Sequence, residues 1–149
     1  MGFQHRKTAT FWLSQAARAH RVSFGAELSK LGLHAGQELV LKILSDEGPQ
    51  TMSALSTKLS VQPPTVTKTI TRLTAQGFVK RRASKKDSRQ AYAEITNEGQ
   101  KLIKQIDKIW KRIEREAFED FDDKERRTLR KYLKKLEKNI LAGSSLDND

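Results

Sequence analysis

The residues of this 149-residue chain that are best suited to chemistry are cations in its middle third. Lys85, Lys86 and Arg89 lie close together, and Asp87 is the one acid among them. Ammonium and guanidinium groups form charge-assisted hydrogen bonds with phosphate oxygens. Asp87 stands two residues before Arg89, so we expect its carboxylate to hold and orient the guanidinium. The cluster predicts contact with a polyanion, made by the three cations and not by Asp87 itself.

A second set of candidate contact residues lies on a segment that begins with two prolines. Proline is tolerated in the first helical turn, where its missing N–H would lack a partner anyway. We therefore expect a helix over residues 63–76, ended by Gly77, with Val66, Ile70 and Leu73 as its apolar stripe. The candidates for contact with the polyanion are the polar residues and the proline around its start and on its other side: Gln62, Pro64, Thr65, Thr67, Lys68 and Arg72.

Other kinds of chemistry find little support in the residue types. The chain has no cysteine, which excludes disulfides, cysteine-based zinc sites and a cysteine nucleophile. His5, His20 and His34 are too far apart in sequence to form a local chelating pair. Serine, histidine and acidic residues show no spacing typical of a catalytic site. We expect a protein that is not an enzyme, with no metal and no cofactor.

The net charge of +11 predicts an anionic partner, either nucleic acid or an acidic membrane surface. Residues 61–96 carry a net +6 of that excess, whereas residues 97–141 mix both signs, as solvated helix faces do. The sequence contains no uninterrupted apolar run of 18 residues and no apolar segment at its N-terminus. We therefore expect a cytoplasmic protein without a membrane partner.

The elements that must position these cations follow from apolar periodicity and turn residues. Helices are expected over residues 8–31, 35–46, 51–60 and 63–76, then strands over 78–82 and 90–95 around a basic loop. Two long helices complete the chain, the first capped by Asn97 and the second starting at Asp122 or Asp123. Residues 142–149 are expected to be a disordered tail.

This order of elements predicts a fold class that is mainly α with a small β-hairpin. A short helix, a tight turn and a proline-led helix form a helix-turn-helix, and the hairpin after them makes it a winged helix. We assign residues 33–96 to this DNA-binding lobe within a single domain. The apolar stripes of residues 97–141 exceed what so small a lobe can cover, so we expect them, with residues 8–31, to form a dimer interface.

The sequence resembles the MarR family of bacterial transcriptional regulators. The most specific part of the resemblance runs from Gly77 to Gly99, where the length of the wing and the Asp-x-Arg spacing agree. The pattern as it stands here is Leu33-x-x-x-Gln37, Leu41, Leu44, Leu55, Val61, Thr65-Val66-Thr67, Arg72-Leu73, Gly77-x-Val79-x-Arg81, Asp87-x-Arg89 and Ile95-Thr96-x-x-Gly99.

The resemblance implies a homodimeric, sequence-specific regulator, more often a repressor, that binds palindromic double-stranded DNA. It also implies a small-molecule effector bound between the dimerisation helices and the DNA-binding lobe. From their positions on the first helix, we expect Trp12, Gln15 and Ala16 to line that effector site. The absent cysteine excludes the branch of the family that senses thiol oxidation.

Some residues depart from the family pattern, and two other functions stay open. His34 stands where a threonine helix cap is common, Ser56 where alanine is usual, and Ala83 where proline is common. One alternative is a winged-helix module that docks on protein or RNA. The other is a membrane-surface or coiled-coil scaffold, a reading that leaves the basic hairpin unexplained.

Overall fold

The computed structural model describes residues 2–87 and 89–146, with side chains to residue 144. After a short 3-10 turn at His5–Lys7, the structure has six helices and three strands over the described residues. They are α1 (Ala9–Ser29), α2 (Gln37–Glu47), β1 (Gln50–Thr51), α3 (Met52–Leu59), α4 (Pro63–Ala75), β2 (Val79–Ala83), β3 (Ala91–Ile95), α5 (Asn97–Ala117) and α6 (Asp123–Leu146). The mainly helical fold class with a helix-turn-helix and a wing is confirmed.

The chain divides into two compact units, residues 1–113 and residues 114–149, with the boundary inside α5. The apolar core of the first unit joins α1–α4, the sheet and the first part of α5. Its largest fully buried side chains come from almost every one of these elements: Leu28, Leu33, Val40, Leu41, Leu44, Leu55, Val66, Ile70, Leu73, Val79 and Ile106. Burying these side chains fixes α4 against the rest of the unit.

Helix α4 follows the prediction closely at both ends. Its first turn contains the two prolines, and its buried residues are the predicted stripe of Val66, Ile70 and Leu73. At the C-terminal end, Gly77 adopts a left-handed conformation with φ of 81°. The N–H of Phe78 then donates to the carbonyl of Leu73 at 3.0 Å, which satisfies a terminal carbonyl of the helix. The exit from α4 towards β2 is therefore fixed by backbone bonds.

The wing is a three-stranded sheet, so the prediction of a two-stranded hairpin was wrong in the number of strands. The strand order is β1-β3-β2, and both pairings are antiparallel. The additional strand, β1, has two residues, Gln50 and Thr51, which pair with Ala93 and Tyr92. A strand of two residues has no alternation to reveal it. Thr51 also caps α3 by accepting a bond from the N–H of Ala54 at 3.0 Å.

Helix α5 begins one residue later than its cap, and the cap is Thr96, not Asn97 as predicted. The hydroxyl oxygen of Thr96 accepts from the N–H of Gly99 at 3.1 Å, while the hydroxyl donates to the carbonyl of Gly77 at 2.6 Å. Threonine and asparagine are both good N-cap residues, and only the contact with Gly77 selects Thr96. This residue ties the start of α5 to the end of α4.

Helix α6 starts as predicted and ends later than predicted. Asp122 accepts from the N–H of Glu125 at 2.7 Å, and Glu125 accepts in return from the N–H of Asp122 at 2.9 Å, a reciprocal cap. The helix continues to Leu146, so residues 142–146 are helical and not the disordered tail that we expected. Alanine and leucine are good helix formers, and the polar tail composition hid them. Residues 147–149 lie outside the described residues.

No helix among the described residues is long and apolar enough to span a membrane. The apolar stripe of α6 is instead left exposed, with Tyr132 at 56% and Ile140 at 51% of their full exposure.

Candidate nucleic-acid interface

The turn between α3 and α4 sets the direction in which α4 leaves the core. Ser60 ends α3 in a left-handed conformation with φ of 52°. The hydroxyl of Ser56 donates to the carbonyl of Val61 at 2.6 Å, and the N–H of Val61 donates to the carbonyl of Ser56 at 3.1 Å. The departure from alanine at position 56 therefore supplies a bond that closes this turn.

The predicted contact residues of α4 share one exposed surface that runs from its N-cap to Arg72. All six are exposed, and the buried stripe of the helix lies on its other side: Gln62, Pro64, Thr65, Thr67, Lys68 and Arg72. Gln62 occupies the N-cap position, but its side chain makes no capping hydrogen bond. Its amide can therefore point outward as both a donor and an acceptor.

The threonines of α4 turn their hydroxyls back onto the helix. Thr67 donates to the carbonyl of Pro63 at 3.2 Å, and Thr69 donates to the carbonyl of Thr65 at 2.9 Å. Such bonds to the preceding turn are common for threonine in helices. They leave the methyl group and the lone pairs of the oxygen of Thr67 exposed for contacts with another molecule.

The tip of the wing is an ordered turn closed by side-chain caps. The hydroxyl oxygen of Ser84 accepts from the N–H groups of Lys86 and Asp87 at 3.2 and 3.3 Å. The carboxylate of Asp87 accepts from the backbone N–H of Arg89 at 2.9 Å. The predicted bond from Asp87 to the guanidinium of Arg89 is therefore corrected. Asp87 fixes the backbone of Arg89, because an aspartate in a turn reaches the backbone N–H two residues later more readily than it reaches that residue's side chain.

The basic residues of this surface fall into two groups. In the strands, Arg82 and Lys80 pair with Glu94, with the guanidinium of Arg82 at 3.0 Å from the carboxylate. Arg81 donates to the hydroxyl of Thr71 at 3.0 Å and so joins β2 to α4. The second group consists of five exposed residues: Lys68, Arg72, Lys85, Lys86 and Arg89. Among the described residues, no ion pair or side-chain hydrogen bond engages their charged groups. We call this second group the outward cations.

A polar network that joins buried Gln37 to exposed Gln76 holds the other end of α4. Gln37 is 3% exposed, and its amide nitrogen donates to the side-chain oxygen of Gln76 at 3.2 Å. The amide nitrogen of Gln76 donates to the carbonyl of Gly32 at 2.6 Å. The network links the turn after α1 to Gln76, the C-cap residue of α4. Sequence analysis singled out Gln37 only within the family pattern, because its partner Gln76 lies 39 positions away.

The start of α2 is stabilised without a threonine cap. The oxygen of the Gln37 side chain accepts from the N–H of His34 at 2.8 Å, and Glu38 accepts from the N–H of Gly36 at 2.7 Å. Glu38 is 5% exposed, and burial raises the pKa of its carboxyl group. The bonds that the carboxylate accepts from the backbone N–H groups of Gly36 and Glu38 oppose this rise. Two side chains inside the helix thus replace the cap that His34 does not supply.

The residues predicted to bind an effector lie on an open helix surface. Trp12 is 62% exposed and its indole donates to the carbonyl of Arg6 at 3.0 Å, while Gln15 and Ala16 are exposed along α1. A depression of about 330 Å³ lies elsewhere in the first unit, between α2 and α5. Its lining combines apolar residues with two lysines and an aspartate: Leu39, Ile106, Trp110, Lys42, Lys111 and Asp107. Lys42 and Asp107 form an ion pair at 2.9 Å that raises the pKa of Lys42. The effector role of Trp12, Gln15 and Ala16 stays a prediction.

The histidines take part in aromatic contacts. His20 stacks on Phe24 at 5.5 Å between ring centroids, and His5 meets Phe11 edge to face at 5.4 Å. Over the described part of the chain, no three His, Asp or Glu residues are grouped so as to hold a metal ion.

Comparison with known sequences finds relatives that are HTH-type transcriptional regulators. The model of the MarR family matches residues 33–91. The chain is 33% identical over 114 residues to the uncharacterized HTH-type transcriptional regulator YwoH of Bacillus subtilis strain 168, which covers 76% of this chain and 82% of YwoH. It is 24% identical to the HTH-type transcriptional repressor IacR of Pseudomonas putida over 83% of this chain and 74% of IacR.

Comparison with solved structures gives the same fold. A crystal structure of MarR superposes with a TM-score of 0.80 at 28% identity, covering 97% of this chain and 99% of that one. A MarR transcriptional regulator from Methanosarcina mazei Go1 superposes with a TM-score of 0.80 at 27% identity, covering 89% and 96% of the two chains.

Proposed function

The chain belongs to the MarR family of transcriptional regulators, and we propose that it represses transcription as a homodimer bound to palindromic double-stranded DNA. In each subunit α4 enters the major groove, and the tip of the wing reaches the adjacent minor groove. The similarity to IacR, a transcriptional repressor, supports repression over activation.

The outward cations carry this proposal. Three of them, Lys85, Lys86 and Arg89, lie at the wing tip, and Lys68 and Arg72 lie on α4. Their neighbours in the strands are engaged by Glu94 and Thr71, so within the described residues the outward cations are the basic residues of this surface that have no internal counter-charge. Phosphates of duplex DNA supply that counter-charge and release bound counterions, which favours binding.

The geometry of the two elements fits the two grooves. A helix with side chains is about 10–12 Å across, close to the width of about 12 Å of the B-DNA major groove. A thin hairpin with an arginine at its tip fits a narrow minor groove, where negative potential is concentrated. The bond from Arg81 to Thr71 keeps α4 and the wing at a fixed spacing, so both can dock together.

Exposed apolar side chains support the homodimer. The apolar stripe of α6 includes Leu129, Tyr132, Leu133 and Ile140, and α1 exposes Trp12 and Val22. Burying such side chains against a second copy is favourable, by roughly 1.5–3 kcal/mol for each one that becomes fully buried. A twofold dimer would present two copies of α4 to half-sites about 34 Å apart.

The depression between α2 and α5 is the place where we expect a small-molecule effector. Trp110 and Ile106 give it an apolar floor, and Lys111 borders it with a positive charge, whereas Lys42 is already paired with Asp107. An organic anion with an apolar body would match both features. Ligand binding at a site lined by Trp110 would change its fluorescence, so titration of Trp110→Phe against the unchanged protein tests this assignment.

The experiment that tests the function is selection of bound duplexes from random DNA, followed by affinity measurement for Arg89→Ala. We expect a palindromic motif with half-sites about one helical turn apart. Loss of the minor-groove arginine should weaken binding to that duplex by roughly tenfold or more, about 1–3 kcal/mol. Arg82→Ala is the matched control, because it removes the same charge from the same wing but from a residue that Glu94 already engages.

Several results would count against the proposal. Equal loss of affinity in both variants would show that only net charge matters. Recovery of no motif, together with tighter binding to single-stranded RNA than to duplex DNA, would favour the alternative of an RNA-binding winged helix.

A further inference from the structure

Helix α6 carries a charge surplus of its own that the sequence average concealed. Residues 97–141 mix both signs, but Asp123–Leu146 alone holds eight basic and three acidic residues. The net +5 of α6 exceeds the net +4 of residues 97–141, so this surplus lies on one element, outside the candidate interface formed by α4 and the wing.

The basic residues of α6 are sorted onto one side of the helix. At about 100° per residue, six of them fall within an arc of roughly 100° that contains no acid. All six are exposed: Lys124, Arg127, Lys131, Lys134, Lys135 and Lys138. We call this the basic face of α6. It extends for about 21 Å along the helix, from Lys124 to Lys138, at 1.5 Å per residue.

This arrangement does not stabilise the helix. Residues three or four positions apart are neighbours on a helix surface, and like charges at these spacings repel. Arg127 and Lys131 are such a pair, with no carboxylate between them in sequence. Lys134 and Lys138 are another, and Glu137, which lies between them in sequence, points outside the basic arc. Within the described residues, the ion pair on α6 joins Arg126 to Asp123, off the basic face, and none includes a member of that face. A stabilising use of these charges must come from a partner.

The placement of the basic face favours a polyanion over a lipid surface. The apolar stripe of α6 is centred about 200° away around the helix, almost directly opposite. Membrane-surface helices also carry basic residues opposite their apolar face, but that use requires the apolar stripe to enter the lipid, and in the homodimer proposed above the stripe is buried against a second copy. If the stripe is covered by a second copy, the cations stay outward and accessible.

We propose that the basic face of α6 binds the phosphate backbone of duplex DNA without sequence preference, as a second contact surface in addition to α4 and the wing. Duplex DNA carries about one negative charge per 1.7 Å of its axis. A line of six cations over about 21 Å therefore meets several phosphates at once. No base edge is read, because lysine and arginine here meet only the backbone.

The test compares two triple variants of equal charge. Lys131, Lys134 and Lys135 are changed to Gln in one, and Lys30, Lys58 and Lys101 in the other. The control lysines are paired with Glu27, Glu47 and Glu98, outside α6. Affinity for a random-sequence duplex of about 40 base pairs is measured against salt, where each lost phosphate contact lowers the slope by about 0.9. We expect the α6 variant to lose two to three units of slope per subunit and the control less than one.

A second measurement separates this surface from the specific interface. Because the contact is independent of sequence, the α6 variant should bind the selected motif and random duplex more weakly by the same factor, leaving their ratio unchanged. Arg89→Ala should lower that ratio. Thermal unfolding checks that the α6 variant stays folded, and removal of like-charge pairs should not lower its Tm.

Two outcomes would overturn the proposal. Equal slopes for the two triple variants would make the basic face a solvated surface. An unchanged DNA slope with lost binding to phosphatidylglycerol vesicles would make its partner a membrane.

Discussion

At the scale of single residues, the interface depends on which polar groups are already occupied within the protein. Glu94 occupies Arg82, and Thr71 occupies Arg81, whereas Arg89 is held only through its backbone. A side chain that is fixed at its base and unoccupied at its charged end loses less freedom on binding a phosphate. Backbone bonds at the wing tip therefore prepare the arginine for its partner.

Asp87 provides a prediction that separates its two possible roles. Asp87→Ala should weaken DNA binding severalfold, because the turn that places Arg89 loses a bond. Asp87→Asn should bind nearly as the unchanged protein does, because an amide oxygen can still accept from the N–H of Arg89. Affinity for the selected duplex is the measurement. If Asn is as harmful as Ala, the carboxylate charge matters and the backbone role is wrong.

Glu38 predicts a pH dependence of stability. Burial raises its pKa in the folded protein, so the folded state favours the protonated form. The stabilisation this provides is full below the unfolded pKa and is lost as pH rises through the folded pKa. Glu38→Gln removes that loss, so the variant should gain free energy of unfolding over the parent protein as pH rises from about 4 to 8. Denaturant titrations at several pH values measure this difference. A difference that stays constant with pH would contradict the prediction.

At the scale of elements, Gly99 shows how closely α5 approaches the wing. A Cβ at this position would lie 2.3 Å from the carbonyl oxygen of Phe78 and 2.8 Å from Cγ1 of Ile95. The first of these atoms belongs to the backbone, so the start of α5 or the end of the α4–β2 connection would have to move. The close approach seats α5 directly against the entrance to β2.

Gly99→Ala should therefore destabilise the protein by about 1–3 kcal/mol, the usual cost of overpacking. Gly25→Ala is its control, because Gly25 lies inside α1 with nothing within 4 Å of the added Cβ. That change should stabilise by roughly 0.5–1 kcal/mol, since alanine is the better helix former. Chemical denaturation of both variants provides the free energies of unfolding. A neutral Gly99→Ala would mean that the two elements are further apart.

The elements that could be predicted from the sequence are those with a strong local signal. Two prolines and Gly77 bound α4, and its apolar stripe has helical spacing. What could not be predicted depends on contacts distant in sequence. β1 is too short for a pattern, and Thr96 is chosen as the cap by Gly77, 19 positions away. The depression between α2 and α5 joins residues more than 60 positions apart, so no local pattern at Leu39 or Trp110 could indicate it.

At the scale of the whole molecule, the apolar residues left exposed indicate what remains to be covered. Leu133 and Ile140 of α6 are exposed at 39% and 51% although helical patterning places them on an apolar stripe. A homodimer of the kind we propose would remove such a stripe from water. Its net charge would be twice that of one chain, so its affinity for DNA should fall steeply with salt.

Leu133→Glu should convert the dimer to a monomer, because it places a charge in the apolar interface without a partner. Sedimentation equilibrium measures the change, and binding to a duplex with two half-sites should weaken to the level of one half-site. Thr128→Glu adds the same charge to α6 outside the apolar stripe and should leave the dimer intact. Unchanged association of the Leu133 variant would place the dimer contacts on other residues.

The hydrogen bond that Thr67 makes to the backbone of α4 has a consequence for the bases that the helix favours. With the hydroxyl proton of Thr67 directed at the carbonyl of Pro63, this side chain offers a methyl group and an acceptor but no donor. Thymine methyls and the amino groups of adenine or cytosine suit such a surface, whereas guanine presents two acceptors in the major groove and finds no complement there. The base that faces Thr67 should accordingly be adenine, thymine or cytosine and seldom guanine, and this preference would be a property of the helix backbone as much as of its side chains.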